Sequence, residues 1–388
     1  MVRRFAPIAI AALLAGACAP NATPITKKGY KGQPATGTPI TFAPQDELDV
    51  DGDGAGDGWW WIPFDGSTGL EEVATCASGS TTGLAIDPGT SGDLLVFFDG
   101  GGACWSYETC AAGAASDRTF GLEKFLVEAR GFIPCSVTNR ALLPPSLTGA
   151  TIVFVPYCTG DVHGGSNLKE YGNVALTETW HHAGHANVLA YLRRLKATWP
   201  SPGKVVVAGS SAGGFGALVN YEAFRWYWPD AEGFLIDDSG PALVGGEVPT
   251  AFRDAWYNSW HLGLATDPFC IGCREDFSSA FTELSDMHRQ DRLALLSHAE
   301  DGVMGPFMLF PTGAGFARAL DRLEASVLRP TGRARAFIDA GSDHMLLTPV
   351  QTCGPGSYVA SHAAGGITLA DWLEEMLSGS PAWDTVRP

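Results

Sequence analysis

A serine flanked by glycines is the strongest chemical signal in this chain. Residues 209–213 read GSSAG and match the pattern G-x-S-x-G, with Ser211 at its centre. An apolar run at 204–208 leads into this motif, and small residues from Ala212 onward lead out of it. A strand, a sharp turn and a helix in this order lift the serine hydroxyl above the edge of a sheet, and the helix N-terminus favours the negative charge that develops there. The pattern therefore predicts that Ser211 is a covalent nucleophile.

A glycine triplet can supply the electrophilic assistance that such a nucleophile needs. Gly100, Gly101 and Gly102 follow the apolar run at 94–98. Glycines after a strand expose backbone N–H groups, and we expect those of Gly101, Gly102 and Ala212 to bind an oxyanion. A tight turn without chemistry is the alternative. A phosphate-binding loop is disfavoured because no Lys-Ser or Lys-Thr pair follows.

The general base must be a histidine, and the position of His344 suits this role. His344 stands in a loop after the predicted strand at 334–338, C-terminal to the serine, in the chain order serine, aspartate, histidine. An acid is needed to orient the imidazole. Asp301 and Asp238 each follow a predicted strand. Asp301 is favoured because its strand precedes the histidine loop, and Asp238 is then expected to shape the substrate pocket.

A group of aromatic and polar residues is expected to line that pocket, with ordinary core packing as the alternative for the aromatic members. The group comprises Trp105, Trp180, His182, Asp238 and Trp256. His181, His182 and His185 are expected to open a helix before the serine. They do not indicate a metal site, because no HExxH pattern is present and no carboxylate has suitable spacing. We expect the chemistry to need no cofactor.

Short apolar runs that alternate with amphipathic stretches must position these residues. Buried parallel strands are predicted at 94–98, 151–155, 204–208, 233–236, 292–296 and 334–338. Helices are predicted at 186–199, 212–226, 315–328 and 368–377. This alternation predicts an α/β fold with a doubly wound, mostly parallel central sheet flanked by helices, and places the chemistry at the carboxyl ends of the strands.

The composition narrows the class of partner. The chain has 388 residues, of which 45% are hydrophobic, enough for a large buried core. A formal net charge of −17 disfavours binding to nucleic acid, because phosphates need basic groups to neutralise them. An acidic surface that keeps an exported monomer soluble is the simplest interpretation.

The N-terminus predicts export. Residues 1–18 combine an arginine pair with an apolar run too short to span a bilayer, which is typical of a signal peptide. Small residues before Cys18 resemble a bacterial lipobox, so Cys18 is a candidate for lipidation and membrane anchoring at an outer-surface or periplasmic site. An ordinary cleavage site in a secreted protein is the alternative. Residues 19–45 are expected to form a flexible linker and residues 46–388 a single catalytic domain.

The cysteine count supports the same compartment. Nine cysteines are present, and eight remain once Cys18 is set aside, an even number that favours disulfides in an exported chain. Cys270 and Cys273 have the spacing of half a zinc knuckle, but no second pair follows, so disulfides are favoured over metal.

An acidic loop near the start of the expected domain is a calcium candidate. Its carboxylates alternate with glycines, and closely spaced carboxylates can wrap one hard cation. They are Asp49, Asp51, Asp53 and Asp57. The glutamate at the twelfth position of an EF-hand loop is missing, and a solvated acidic turn is the alternative.

Short motifs between Trp59 and Trp372 are shared with a known family. They are CASGS at 76–80, GGGACW at 100–105, PYC at 156–158, GDV at 160–162, GSSAGG at 209–214 and DDSG at 237–240. Together they resemble the pectin acetylesterases and Notum, a carboxylesterase family with the α/β-hydrolase fold.

The resemblance implies roles for individual residues. It implies a triad of Ser211, Asp301 and His344, and an oxyanion hole formed by the glycine loop and the residue after the serine. It also implies disulfides that join Cys76 to Cys158 and Cys104 to Cys110. The resemblance leaves open the pairing of the other four cysteines, which are Cys135, Cys270, Cys273 and Cys353. Family members often carry an aromatic residue in the glycine loop, where this chain has Gly102 and Ala103, so its oxyanion region is expected to be more open.

The ester substrate is left open between classes. By resemblance, deacetylation of an O-acetylated polysaccharide comes first, although an acidic protein would be repelled by polygalacturonate itself. Hydrolysis of a lipid or polyester is the second reading, with Trp180, Trp256, Tyr257 and Trp260 as candidates for an apolar acyl pocket. A non-catalytic glycan-binding lipoprotein is a remote third, which the intact serine, aspartate and histidine disfavour.

Overall fold

A nine-stranded sheet forms the centre of the fold in the computed structural model, which describes residues 30–67, 73–115, 117–172, 177–348 and 361–388. Its strands are β1 (Glu47–Leu48), β2 (Trp59–Pro63), β3 (Gly83–Asp87), β4 (Leu94–Phe98), β5 (Thr151–Val155), β8 (Lys204–Ser210), β9 (Glu232–Asp238), β10 (Arg292–His298) and β11 (Ala334–Asp339). They lie in the order β1-β2-β3-β5-β4-β8-β9-β10-β11. Two antiparallel pairs lie outside this sheet, β6 (Asn167–Gly172) with β7 (Thr177–His182) and β12 (Ala363–Ala364) with β13 (Ile367–Thr368).

The sheet is parallel from β5 to β11 and antiparallel at its other edge. The six strands β5, β4, β8, β9, β10 and β11 run parallel to one another, whereas β1 with β2, β2 with β3 and β3 with β5 are antiparallel pairs. Every residue of β4 and β5 is buried, as expected where helices cover both faces of a parallel sheet. The doubly wound, mostly parallel sheet of an α/β-hydrolase fold is therefore confirmed, and all six predicted strands are present.

Helices follow most of the parallel strands. They are α1 (Tyr107–Ala111), α2 (Leu122–Phe132), α3 (Gly184–Thr198), α4 (Ala212–Tyr227), α5 (Thr250–Trp260), α6 (Gly263–Thr266), α7 (Ser279–Met287), α8 (Met304–Phe307), α9 (Gly313–Leu323), α10 (Arg329–Thr331) and α11 (Leu369–Leu377). One π-helical turn, Glu324–Leu328, joins α9 to α10. Single 3-10 turns occupy Pro44–Asp46, Ile133–Cys135, Arg140–Leu142, Pro145–Leu147 and Ile271–Arg274. Within the described residues, no helix has both the length and the apolarity needed to cross a membrane.

Alternate residues of each strand feed two separate cores. On β4, Leu94, Val96 and Phe98 pack with α3 and α4 on one face of the sheet. Leu95 and Phe97 pack with α2 and α11 on the other. This follows from the two-residue period of a strand, because successive side chains point to opposite faces of the sheet. Since helices cover both faces, the ends of the strands remain for a site.

Residues 30–45 do not form the free tether expected for this part of the linker. The hydroxyl of Tyr30 lies 3.1 Å from Nε2 of His185, and its ring stacks on Trp226 at 4.9 Å. Further along, Ile40 is buried, and its N–H donates to the Thr198 hydroxyl at 2.8 Å. Widely spaced aromatic and apolar side chains anchor this stretch to α3 and α4. Its Pro- and Thr-rich composition gives no sign of this anchoring. The predicted signal peptide and Cys18 lie outside the described residues.

Candidate active site

The nucleophile motif forms a strained turn between a strand and a helix. β8 ends at Ser210 and α4 begins at Ala212, so Ser211 is the single residue between them. Its backbone adopts φ 60° and ψ −120°, a conformation that costs about 1–3 kcal/mol for a residue with a side chain. The neighbouring strand holds the turn, because the N–H of Ser211 donates to the carbonyl oxygen of Asp238 at 2.7 Å. The surrounding structure thus keeps the serine at the carboxyl end of the sheet.

Close backbone contacts require glycine on both sides of Ser211. A Cβ atom on Gly209 would lie 2.2 Å from the carbonyl oxygen of Gly213, and one on Gly213 would lie 2.0 Å from that of Phe98. Neither contact could be tolerated. The two glycines therefore allow the turn to pack directly on the end of β4, where the glycine loop begins.

The glycine loop passes beside the serine. A Cβ atom on Gly100 would lie 3.1 Å from that of Ser211. Gly101 and Gly102 adopt φ 148° and 73°, which favour glycine. Among the described residues, the N–H groups of Gly101, Gly102 and Ala212 have no hydrogen-bond acceptor. All three predicted oxyanion donors are therefore available to a ligand.

Disulfides fasten the segments around this loop. Cys104 pairs with Cys110, and Cys76 pairs with Cys158, as the family resemblance implies. A third disulfide joins Cys270 to Cys273, so this CxxC motif is not half of a zinc site. The other cysteines are Cys135, which is also disulfide-bonded, and Cys18 and Cys353, which lie outside the described residues.

Asp301 and His344 meet beyond the ends of β10 and β11. Nδ1 of His344 lies 2.8 Å from Oδ2 of Asp301, and their side chains are 6% and 0% exposed. The other oxygen of Asp301 accepts the N–H groups of Val303 and Met304 at 2.9 and 2.8 Å. This fixed carboxylate favours a proton on Nδ1 and leaves Nε2 of His344 to accept one. Nε2 is buried and has no hydrogen-bond partner among the described residues.

Asp238 holds the histidine loop. It is fully buried, and its carboxylate accepts the hydroxyl of Ser210 at 2.6 Å and the N–H groups of Leu346 and Leu347 at 2.9 Å each. Burial raises the pKa of Asp238, and the hydrogen bonds from Ser210 and the loop offset only part of this rise. These donors engage Asp238, and the carboxylate that lies against His344 is that of Asp301. A role of Asp238 in shaping the pocket stays a prediction.

Aromatic side chains fill the space beside the glycine loop. The Trp105 ring lies 4.9 Å from that of Phe252, 5.8 Å from that of Phe307 and 6.1 Å from that of Trp256. Phe215, one turn after the serine, contacts Trp256 edge-on at 5.5 Å. Two of the pocket candidates, Trp105 and Trp256, are thus brought near the predicted site.

The apolar cavity in this cluster is small. Its volume is about 20 Å³, and its walls include Phe252, Trp256, Phe277 and Met308. A cavity of this size holds about one water molecule. The sequence analysis does not identify Phe252 and Phe307 as members of this cluster. The spacing of Phe252, Trp256 and Trp260 at every fourth residue is the signal that identifies one face of α5.

Trp180 and His182 belong to a different, structural cluster. His181 and His182 end strand β7 and do not open a helix; only His185 lies in α3. His182 is completely buried, with Nδ1 2.9 Å from the carbonyl oxygen of Thr159 and Nε2 2.8 Å from the hydroxyl of Tyr171. Trp180 is 1% exposed. Both side chains are buried and lie outside the walls of the cavity beside Trp256, and their role in a substrate pocket stays a prediction.

The acidic loop brings three of its four predicted ligands together. One carboxylate oxygen each from Asp49, Asp51 and Asp57 lies within 4.8 Å of the others, whereas Asp53 is not in this group. These carboxylates already accept backbone N–H groups of the same loop. The geometry is that of an acidic turn stabilised by its own backbone, and calcium binding stays a prediction.

Comparison with known proteins gives a match to the part of the chain that contains the glycine loop and Ser211. Residues 67–243 match the family model for pectinacetylesterase. This segment includes the glycine loop and Ser211 and ends before Asp301 and His344.

Curated relatives match over a shorter stretch. The palmitoleoyl-protein carboxylesterase NOTUM of Homo sapiens is 30% identical over 161 residues, which cover 39% of this chain and 30% of that protein. The palmitoleoyl-protein carboxylesterase notum2 of Xenopus laevis is 30% identical over 157 residues, 39% of this chain and 30% of its own length. The match thus spans less than a third of the length of these relatives.

Proposed function

We propose that this chain, which is similar to the pectinacetylesterase family model over residues 67–243 and to Notum carboxylesterases, is a serine carboxylesterase that acts through Ser211, His344 and Asp301. The observation that carries this proposal is the buried pair of Asp301 and His344, with an unpartnered imidazole Nε2 among the described residues. A hydrolase with a serine nucleophile needs this arrangement for proton transfer.

The mechanism is a two-step acyl transfer. Nε2 of His344 takes the proton from the Ser211 hydroxyl as that oxygen attacks the ester carbonyl. The N–H groups of Gly101, Gly102 and Ala212 stabilise the oxyanion, and Asp301 stabilises the imidazolium. The imidazolium then gives its proton to the leaving alcohol. Water, deprotonated by His344, releases the acid from the acyl-enzyme and restores the serine. No step requires a cofactor.

Tight packing of the aromatic rings that follow the glycine loop supports a short acyl group. Trp105, Phe252 and Trp256 pack ring against ring, and the cavity whose walls include Phe252 and Trp256 has a volume of about 20 Å³. That space suits an acetyl methyl group but not a long chain without rearrangement of several buried rings. We therefore propose deacetylation of an O-acetylated polysaccharide as the reaction.

A longer acyl substrate is the second candidate. The cavity walls are apolar and aromatic, and the curated relatives are palmitoleoyl-protein carboxylesterases. A displacement of Trp256 or Phe252 would open this space to a lipid or polyester chain. A non-catalytic glycan-binding protein remains the remote alternative.

The deciding experiment measures hydrolysis of p-nitrophenyl esters from acetate to palmitate, followed by acetate release from acetylated xylan and acetylated pectin. Activity is expected to peak at acetate. Ser211→Ala should lower kcat by about 10⁶-fold while the protein keeps its melting temperature, and Ser326→Ala, at an exposed hydroxyl on the π-helical turn, should match wild type. A peak at long chains would favour the lipid or polyester candidate. Wild-type activity in Ser211→Ala would refute the nucleophile.

We also propose export with a lipid anchor at Cys18. The disulfides Cys76–Cys158, Cys104–Cys110 and Cys270–Cys273 fit an oxidising compartment. Cys18→Ser should move the protein from the membrane fraction to the soluble exported fraction. An unchanged distribution would leave ordinary secretion as the explanation.

A further inference from the structure

Three metal-ligating side chains meet beside the predicted active site without a role in the proposed chemistry. His298 is the last residue of β10 and Asp339 the last residue of β11, and they are register partners in the parallel sheet. His362, just before β12, adds a second imidazole whose ring centroid lies 5.3 Å from that of His298. One potential ligand atom from each residue lies within 4.8 Å of the others.

The hydrogen bonding of His298 orients it as a ligand. Nδ1 of His298 lies 3.0 Å from the carbonyl oxygen of Ala340, so Nδ1 carries the proton and Nε2 keeps its lone pair. Nε2 is buried and has no hydrogen-bond partner among the described residues, and the whole residue is 2% exposed. An imidazole whose Nδ1–H is donated to a backbone carbonyl while Nε2 faces a metal is the common arrangement in protein metal sites.

The carboxylate of Asp339 completes the set. Its Oδ2 lies 2.6 Å from Nδ1 of His362, and its side chain is 15% exposed. Its other oxygen accepts the N–H of Ala340 at 2.7 Å. Asp339 can therefore either bind the metal directly or orient His362 as a carboxylate–histidine pair does. In both cases the three residues that build the site come from three separate segments that the fold has already brought together.

We propose that His298, Asp339 and His362 form a site for a divalent transition metal, of which Zn²⁺ fits best. Two imidazoles with one carboxylate suit zinc, whereas calcium and magnesium prefer sites made of oxygen atoms. Ligand atoms about 2.1 Å from a tetrahedral zinc lie about 3.4 Å apart. The present ligand atoms lie within 4.8 Å of one another, so a contraction of at most about 1.4 Å closes the site. A fourth position stays open for water.

A metal at this site would hold in place the loops that carry both members of the predicted acid–base pair, Asp301 and His344. His298 precedes Asp301 by three residues, and Asp339 precedes His344 by five. A bound metal would fix the start of both loops and tie them to the segment that leads into α11. The metal would thus stabilise the geometry between Asp301 and His344 without touching the substrate.

The test is zinc binding to the full chain, stripped with a chelator and free of any affinity tag. Calorimetric titration with ZnCl₂ should give one site per chain, and Co²⁺ substitution should give the visible absorption bands of a four- or five-coordinate ion. His298→Ala and His362→Ala should each weaken binding at least 100-fold, and Asp339→Asn about 10–100-fold. Zinc should raise the melting temperature of wild type and not that of the His362 variant.

Two controls keep the result decisive. His261→Asn removes an exposed histidine at a left-handed position that asparagine tolerates, and it should bind zinc like wild type. Asp51→Asn, in the acidic loop, should also leave the zinc titration unchanged. If His298→Ala does not fold, His298→Gln and His362→Gln replace it in the same titration. Absence of a stoichiometric site in wild type, or wild-type affinity in the variants of His298 and His362, would overturn the proposal.

Discussion

The nucleophile half and the acid–base half of the predicted active site are built in different ways. The nucleophile half, defined as Ser211 with the glycine loop at 99–105, depends on short segments that pack backbone against backbone. The acid–base half, defined as the loops at 299–303 and 340–348, depends on side chains far apart in sequence. Asp301 pairs with His344 across 43 positions, and Asp238 binds Leu346 across 108.

The difference explains why the two halves are unequally visible in sequence comparison. Steric demands at Gly209, Gly213 and Gly102 tolerate only one residue type, so they leave a local motif. A carboxylate that needs only to reach an imidazole can stand on more than one strand end. The family model accordingly matches residues 67–243, which contain the nucleophile half, and ends before the acid–base half.

Replacement of the acid should have the largest effect within this comparison. In Asp301→Asn, the amide oxygen can still accept from Val303 and Met304, so its NH₂ group faces Nδ1 of His344. That fixes the wrong tautomer, because Nε2 then carries the proton and cannot take one from Ser211. We expect kcat to fall about 10⁴-fold with little loss of stability, measured by p-nitrophenyl acetate hydrolysis and thermal melting. Full activity would show that Asp301 is not the acid that orients His344.

Replacement of a loop glycine tests the nucleophile half. In Gly102→Ala, the new Cβ would lie 2.0 Å from the carbonyl oxygen of Ala114 at φ 73°. The loop must move, and a displaced oxyanion donor should lower kcat about 10²–10³-fold. Gly113→Ala is the matched control, because Gly113 has φ 72° but nothing within 4 Å of the new Cβ. Its melting temperature should fall slightly and its kcat should hold; equal losses in both variants would mean that strain alone is responsible.

Asp238 links Ser210, beside the nucleophile, to the histidine loop, and its replacement should lower mainly the stability of the protein. Asp238→Asn removes an acceptor from the group formed by Ser210, Leu346 and Leu347. A buried donor left without a partner costs about 1–3 kcal/mol, so we expect the free energy of unfolding in urea to fall by that amount. The pH–rate profile should keep its shape, since Asp238 is not the partner of His344. A 10⁴-fold loss of kcat, equal to that of Asp301→Asn, would contradict the division of roles.

The smallest predicted effect is an acid-sensitive stability that arises near the nucleophile half. Burial lowers the pKa of both His163 and His182 to about 4. His163 contacts the carbonyl of Asp99. The unfolded chain binds protons at these histidines below about pH 6.5 and the folded protein does not, so the contribution of these two histidines to the free energy of unfolding falls as pH falls from 6.5 towards 4. Burial raises the pKa of Asp161 to about 6, and this carboxyl acts in the opposite direction, its stabilisation being lost as pH rises through 6. Burial also raises the pKa of Asp99, Asp237 and Asp238, which act in the same direction as Asp161, so the histidine contribution is measured as a difference between variants.

Chemical denaturation at pH 7, 6 and 5 measures this effect. Each histidine contributes a slope of up to about 1.4 kcal/mol per pH unit inside its window. His182→Gln should flatten the curve, whereas His261→Gln, at an exposed histidine, should leave it unchanged. A pH dependence of His182→Gln equal to that of wild type would contradict a buried, neutral His182.

The sequence by itself determined the elements and the local motifs. Continuous apolar runs identified all six parallel strands, because strands buried on both faces tolerate little else, and the G-x-S-x-G motif identified a turn that only glycine permits. Chain order and strand ends also indicated Asp301 and His344. Composition alone misjudged residues 30–45, where a few widely spaced side chains such as Tyr30 and Ile40 decide the packing.

Only the tertiary structure decided the contacts between distant segments. It separated Asp301 from Asp238 by showing which donors each carboxylate receives, and it buried Trp180 and His182 in a structural cluster. It also limited the apolar cavity beside Phe252 and Trp256 to about 20 Å³ and brought His298, Asp339 and His362 together. These outcomes depend on angles and distances between elements that are set by packing over the whole sheet, and no local pattern of residue types encodes them.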